Sequence, residues 1–180
     1  MRIILIIIYT IMLSSCASFY DVNVTKSQTY KQPDKLLDNF SLSGRFLIKN
    51  SSNSYYGNFS WWRESDTEEL DLNSPIGTTI AQIKIKSNVT SLFVNGQSYT
   101  GSNLDDIMQK QLGFSLPLNY LYYWVQGFKL PDYQINNILP NGFTQLGWSV
   151  EYLTWGDNNL PQIIKCSKGD VIIKLVNNWN

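Results

Sequence analysis

The chain carries few groups able to do bond-making chemistry. Its 180 residues include no histidine, and lysine plus arginine (14) balance aspartate plus glutamate (14). Lack of imidazole excludes Ser-His-Asp and Cys-His arrangements and removes the commonest metal ligand. Asp66, Glu68 and Glu69 could supply the paired carboxylates of a glycosidase. They stand in the charged run 63–69, which reads as a solvated turn. Asp105-Asp106 reads as acids favoured by the dipole of a helix's first turn. Asn95-Gly96 and Thr100-Gly101 read as hairpin turns and not as a phosphate loop. Zero net charge offers no electrostatic footprint for nucleic acid. The expectation is a protein that is not an enzyme and uses no metal and no nucleic acid.

Cys16 and Cys166 remain. Arg2 followed by the apolar run Ile3–Leu13, about a dozen residues and too short to span a bilayer, reads as a targeting segment. It closes on Leu13-Ser14-Ser15-Cys16, which resembles the lipobox of bacterial lipoproteins. That resemblance implies cleavage before Cys16, a thioether-linked diacylglycerol on its sulfur and an acyl group on its new amine. This covalent lipid is the one prosthetic group expected, with no other cofactor. Ala17, in place of Asp, implies the outer membrane. The chain thus divides into a signal peptide (1–15), the lipidated cysteine with a polar, aperiodic tether (16–36) that inclines to helix near 34–38, and a folded body (37–180). Cys166 is then alone; one cysteine makes neither a disulfide nor a zinc site. Its neighbours Lys165 and Lys168 could lower its pKa, although a structural thiol is the simpler reading.

The elements of the body follow from period two. Phe40, Leu42, Gly44, Phe46 and Ile48 occupy alternate positions, with Arg45 on the solvated face. Tyr55, Gly57, Phe59 and Trp61 line the next strand. Leu70 and Leu72, then Thr79, Ala81, Ile83 and Ile85, flank the break Asn73-Ser74-Pro75-Ile76-Gly77, predicting a hairpin. Pro75 fits position i+1 of a type I turn and Gly77 fits i+3. Ile76 therefore falls at the most exposed place of the hairpin. Strands 89–94 and 97–100 are joined by Asn95-Gly96, a type I′ signal.

At Ser102 the period changes. Ser102-Asn103-Leu104-Asp105 reads as a capping box, with Leu104, Ile107, Met108 and Leu112 on one helical face before Gly113. A second helix starts with Pro117 and buries Leu118, Leu121, Trp124 and Val125 before Gly127. Strands resume near 133–138, at Trp148-Val150-Tyr152, over 162–166, and at Val171-Ile173-Leu175, ending with Trp179. Nine to eleven strands at hairpin spacing predict a mainly β chain, an antiparallel barrel or strongly curled sheet covered by two short helices. The aromatic surplus (6 Trp, 11 Tyr) either fills a dry core or lines a receptacle for an apolar ligand.

Trp61, Leu70 to Gly77, the segment Leu116-Pro-Leu-Asn-Tyr-Leu-Tyr-Tyr-Trp-Val-Gln-Gly127, Gly147-Trp148 and Ile173 to Trp179 stand in an order that resembles the LolB family of outer-membrane lipoprotein receptors. The likeness covers nearly the whole chain after the tether. It implies an unclosed antiparallel β-barrel with a helical lid over an apolar cavity. It also implies a monomer that accepts acylated lipoproteins from a soluble, LolA-like periplasmic carrier and inserts them into the outer membrane. By the same resemblance, Pro75, Ile76 and Gly77 form the membrane-delivery loop. The familiar type of the family has leucine at the tip, and Ile76 keeps its volume and apolarity. Phe46, Ile48, Phe59, Trp61, Leu70, Leu72, Trp124 and Trp148 become the expected cavity lining, and Leu104, Ile107, Met108, Leu118 and Leu121 the lid. Two other classes compete: a lipoprotein binding lipid or another small hydrophobe without protein clients, and a filled structural anchor.

Overall fold

The alternation of apolar and polar residues gives the body its one dominant element. The computed structural model describes residues 29–87, 89–101 and 104–180. Its strands are β1 (Phe40–Lys49), β2 (Ser54–Glu64), β3 (Thr67–Asn73), β4 (Thr79–Lys86), β5 (Val89–Val94), β6 (Gln97–Thr100), β7 (Asn137–Leu139), β8 (Gly142–Gln145), β9 (Trp148–Trp155), β10 (Pro161–Lys168) and β11 (Val171–Trp179). All eleven form one antiparallel sheet in the order β6-β5-β4-β3-β2-β1-β11-β10-β9-β8-β7. The two halves of the chain meet where β1 pairs β11, from Leu42 opposite Trp179 to Lys49 opposite Ile172. β6 and β7 lie at opposite edges of the sheet, which is therefore unclosed. This is the mainly β, curled architecture expected.

One face of the sheet is apolar throughout. Leu42, Ile48, Trp61, Leu72, Ala81, Ile83, Leu92, Val94, Val150, Tyr152, Ile164, Cys166 and Ile173 are almost wholly buried. Between β1 and β2, Gly44 faces Phe59 and Gly57 faces Phe46. A methyl group at either glycine would crowd the opposing ring, so the rings take the space the glycines leave.

The helices α1 (Leu104–Leu112) and α2 (Leu118–Trp124) lie in the chain between β6 and β7. The connection therefore runs from one sheet edge to the other, covering the apolar face on the way. α1 has Asp105 and Asp106 in its first turn and ends as the Gly113 amide donates to Gln109 O (3.1 Å). Residues 102 and 103 of the expected capping box lie outside the described residues. Pro117 stands one position before α2, its carbonyl accepting from the Leu121 amide (2.8 Å). α2 closes with Gly127 at φ +87° and amide bonds from Phe128 to Tyr123 O (2.9 Å) and from Gly127 to Trp124 O (3.0 Å), a Schellman motif.

Five expectations are corrected. The run 63–69 is strand except for the Ser65-Asp66 turn, because Arg63 of β2 pairs with Glu68 of β3 opposite it and Glu69 pairs with Lys84 of β4. The strand expected over 133–138 is only Asn137–Leu139, since Tyr133 O is taken by a side chain. β8 was not foreseen: it turns into β9 through Leu146 (φ +54°) and Gly147 (φ +78°), and leucine does not announce a left-handed turn. β10 is longer than 162–166, continuing past irregularities at Pro161 to Ile164. Residues 34–38 form no helix, and Tyr30, Pro33, Leu36 and Leu37 are buried or half-buried while Lys31, Gln32, Asp34 and Lys35 are exposed. Tyr30 stacks on Tyr152 (5.2 Å, 13°), its amide donates to Pro140 O (2.9 Å), and the Leu37 amide donates to Gln126 Oε1 (2.7 Å).

The two ends of the sheet differ. One carries the 50–53, 74–78, 95–96, 146–147 and 169–170 turns, tied by the Ser51 amide on Asp170 Oδ2 (3.0 Å) and Lys168 Nζ on Leu146 O (3.1 Å). The other carries the start of β1, the 65–66 and 140–141 turns and the C-terminus, and Tyr30 joins the body there.

Gln145 is fully buried; its Oε1 accepts from the Leu130 amide (2.9 Å) and its Nε2 donates to Leu130 O (3.0 Å) and Tyr133 O (2.6 Å). Gln145→Ala would leave the buried Leu130 amide and carbonyl without partners, at about 1–3 kcal/mol each. Urea unfolding should report a loss of about 2–4 kcal/mol, and amide exchange at Leu130 should accelerate.

Candidate functional site

The β3–β4 tip is built by a short set of bonds. The Gly77 amide donates to Ser74 O (2.9 Å), the Ser74 amide to Thr78 O (2.7 Å) and the Thr78 amide to Ser74 Oγ (3.1 Å). The left-handed conformation falls on Gly77 (φ +88°) and not on Ile76, as a type I turn followed by a G1 bulge requires. A side chain at Gly77 would meet nothing within 4 Å, so backbone conformation alone calls for glycine there. Pro75, Ile76 and Gly77 are all exposed, and Ile76 is 90% accessible. An isoleucine so placed forgoes the roughly 1.5–3 kcal/mol that full burial would give it.

The eight residues expected to line a cavity, Phe46, Ile48, Phe59, Trp61, Leu70, Leu72, Trp124 and Trp148, are all buried in one continuous core. Lid residues Met108 and Leu121 are buried with them, Leu118 is 9% exposed, and Leu104 and Ile107 are half-buried against the same core. The helices thus set their own side chains into the concave face; Met108, Trp124 and Val125 are wholly enclosed. Trp124 contacts Tyr120 and Trp148, each with ring centroids 5.6 Å apart. Two clefts flank the helices. One of about 520 Å³ lies between the β4–β5 end (Ile85, Val89) and Leu104, Leu116, Pro117, Leu118 and Tyr120. Another of about 620 Å³ is bounded by Leu36, Tyr123, Phe128, Leu130, Tyr133 and Ile135. None of the eight residues lines either cleft.

The acidic residues are engaged in structure. Glu68 Oε2 pairs with Arg63 (3.1 Å), and its Oε1 accepts from the Trp61 indole (2.9 Å). The Arg63 guanidinium in turn lies 4.4 Å from the centroid of the Tyr122 ring on α2, whose hydroxyl donates to Leu37 O (3.2 Å). Glu69 pairs with Lys84 (2.8 Å). Asp66 is exposed, and the Ser87 hydroxyl donating to it (2.8 Å) holds its pKa below the usual carboxylate range. Cys166 is buried, and burial pushes its thiol up, opposite to the activation that Lys165 and Lys168 could have provided. Lys165 is instead paired with Glu151 (3.0 Å). Cys16 lies outside the described residues.

Sequence reasoning missed the polar residues that fasten the cover. Gln126 is fully buried, accepting from Leu37 and donating to Tyr122 O (3.1 Å). Gln145 does the same for the loop after α2. Their one sequence signal is a glutamine inside, or just beyond, an apolar run.

The fold is thus an unclosed antiparallel sheet whose apolar face is covered by two helices, with an exposed aliphatic turn tip at one end. The family model described as outer membrane lipoprotein LolB matches residues 38–179. Relatives bearing the name outer-membrane lipoprotein LolB include one from Pseudomonas fluorescens, 31% identical over 150 residues, covering 78% of this chain and 73% of the relative. Another from Shewanella frigidimarina is 27% identical over 173 residues (89% and 82%), and one from Neisseria meningitidis 26% over 168 (92% and 84%). The chain belongs to the outer membrane lipoprotein LolB family.

Tyr30 supplies a pH test of the N-terminal strap. Burial pushes its phenol up to about 12, and its hydroxyl donates to Gly127 O (3.1 Å); the Tyr152 phenol is also raised by burial. With folded-state pKa values above the unfolded phenol's, stability is fully present below about pH 10 and falls as pH rises toward 12. Urea midpoints measured at pH 9, 10.5 and 12 should decline in that order. In Tyr30→Phe the decline should be shallower, with about 0.5–1.5 kcal/mol lost at neutral pH.

Proposed function

We propose that this protein is an outer-membrane-anchored receptor that accepts acylated lipoproteins from a soluble periplasmic carrier and inserts them into the outer membrane. The observation that carries the reading is Ile76: a large aliphatic side chain, 90% exposed, held outward by a hydrogen-bonded turn. Family membership supports the same reading. The acyl chains of a client would take the place of the helix side chains over the concave face, with α1 and α2 moving outward as the lid. The neighbouring 520 Å³ cleft gives that movement a starting point. Each methylene buried is worth about 0.8 kcal/mol in either place, so transfer runs downhill only by burying methylenes the receptor leaves exposed and by releasing the cost of holding the cover open. No nucleotide or cofactor is required.

The lipid on Cys16 anchors the body, and the fold constrains how. Tyr30 joins the body at the sheet end opposite the Ile76 tip. The 13 residues between Cys16 and Tyr30 reach at most about 45 Å. β1, ten residues long, spans about 33 Å. The tip meets the anchoring bilayer when the tether runs back along the body.

Two tests follow. Ile76→Glu should leave the urea midpoint and client acceptance unchanged while abolishing release into liposomes; normal delivery by this variant would end the proposed role of the tip. Deleting residues 19–26 leaves a tether of about 17 Å, shorter than the body. The lipidated deletion variant should accept clients and fail to deliver them to the membrane that holds it, whereas a longer Gly-Ser replacement should restore delivery.

A further inference from the structure

Buried polar side-chain atoms on the second covering helix and at its end are paired, with one exception among the described residues. The Trp61 indole donates to Glu68 Oε1 (2.9 Å) and that of Trp179 to Pro161 O (2.9 Å). Around α2, the Tyr122 hydroxyl and both ends of the Gln126 amide have partners. Trp124, fully enclosed, leaves its Nε1 without any hydrogen-bond partner among the described residues. The Tyr152 hydroxyl and Asn177 Oδ1 are also unpaired, but they belong to β9 and β11. Trp124 alone of these stands on a covering helix, between Trp148 of the core and Tyr120, whose ring borders the 520 Å³ cleft.

A buried N–H left unpaired is costly, and such a group warrants an explanation in function. The surroundings select its acceptor. The two aromatic neighbours bring no cation to accompany an anion, so the donor suits an uncharged acceptor on an otherwise apolar molecule. A fatty ester carbonyl is such a group. We propose that Trp124 Nε1–H donates to an ester carbonyl of the diacylglyceryl group on a client's cysteine, fixing where the glycerol end of the lipid stops while its chains run over the concave face. This rests on the receptor reading and adds to it a polar register point. It makes Trp124 a specificity residue for acyl esters as opposed to alkyl chains.

The test uses two synthetic lipopeptides with a free amino terminus, one bearing S-[2,3-bis(palmitoyloxy)propyl]cysteine and the other its bis(hexadecyl ether) counterpart, which lacks both carbonyls. The wild-type protein should bind the ester about 3–10-fold more tightly than the ether, the range of one net hydrogen bond. Trp124→Phe keeps a ring and removes the N–H; its ester-to-ether ratio should fall to about one, whatever the smaller ring does to both affinities together. In proton–nitrogen spectra of the wild-type protein, the Trp124 indole proton should move downfield with the ester and not with the ether. That measurement stands even if the variant fails to fold. An ester preference that persists in Trp124→Phe, or an indole signal indifferent to the carbonyls, overturns the assignment alone. Failure of the wild-type protein to bind either lipopeptide overturns the receptor reading and this inference with it.

Discussion

An antiparallel sheet with one apolar face and two unpaired edges has to hide that face from water. Here the obligation falls on a single connection, because the chain leaves the sheet at β6 and re-enters it at the far edge, β7. Everything between them must cross the open side, so the segment that links the edges is also the cover. Each fully buried Leu, Ile or Met contributes about 1.5–3 kcal/mol, and the faces of α1 and α2 supply several. That is enough to hold the cover down. It is also the same kind of contact, with the same surface, that an acyl chain would make.

The polar fastenings around the cover are few and local. Gln126, with Tyr122, ties the end of α2 to the Tyr30–Leu37 strap, and Gln145 ties the following loop to β8. At the other end Asn50 Nδ2 donates to Gly113 O (3.3 Å), joining the stop of α1 to the β1–β2 turn. The Arg63 guanidinium over the Tyr122 ring is the link from α2 to the charged ladder of β2–β4. Pairs in that ladder add little stability individually where they are exposed. They do fix register, since a one-residue slip would separate Arg63 from Glu68, Glu69 from Lys84 and Gln82 from Asp71 while turning every apolar side chain outward.

Period two made most of the sheet legible from residues alone. The faces of β1, β2, β3 and β4, the Asn95-Gly96 turn and the Ser74–Gly77 tip fold as their spacing states. What escaped depended on tertiary partners. Charges at 63–69 look like a turn until the opposing strand supplies counter-ions. Leu146 gives no sign of its left-handed backbone, so β8 stayed hidden. Tyr30 looks like part of a polar tether because the rings it packs against, Tyr152, Phe143 and Trp155, lie more than a hundred residues away. At the site, alternation identified the buried face correctly but could not say that the helices' own side chains would occupy it.

That self-filled interior bears on how a receptor of this kind could let go. Moving an acyl chain from one apolar medium to another gains little by itself, because both remove the same methylenes from water. A rigid empty cavity would also have to be left dry on release, and its walls would lose their contact partners. On the receptor reading proposed above, Met108, Leu121, Trp124 and Val125 would close over Phe46, Ile48, Leu70 and Leu72 as the client departs, restoring the burial seen in the structure. The cost of opening the cover then lowers the client's net affinity for the receptor and not its affinity for the bilayer. Such a transfer runs in one direction without fuel, provided an apolar point outside the cover, the role proposed for Ile76, brings the membrane into contact before the client is exposed to water.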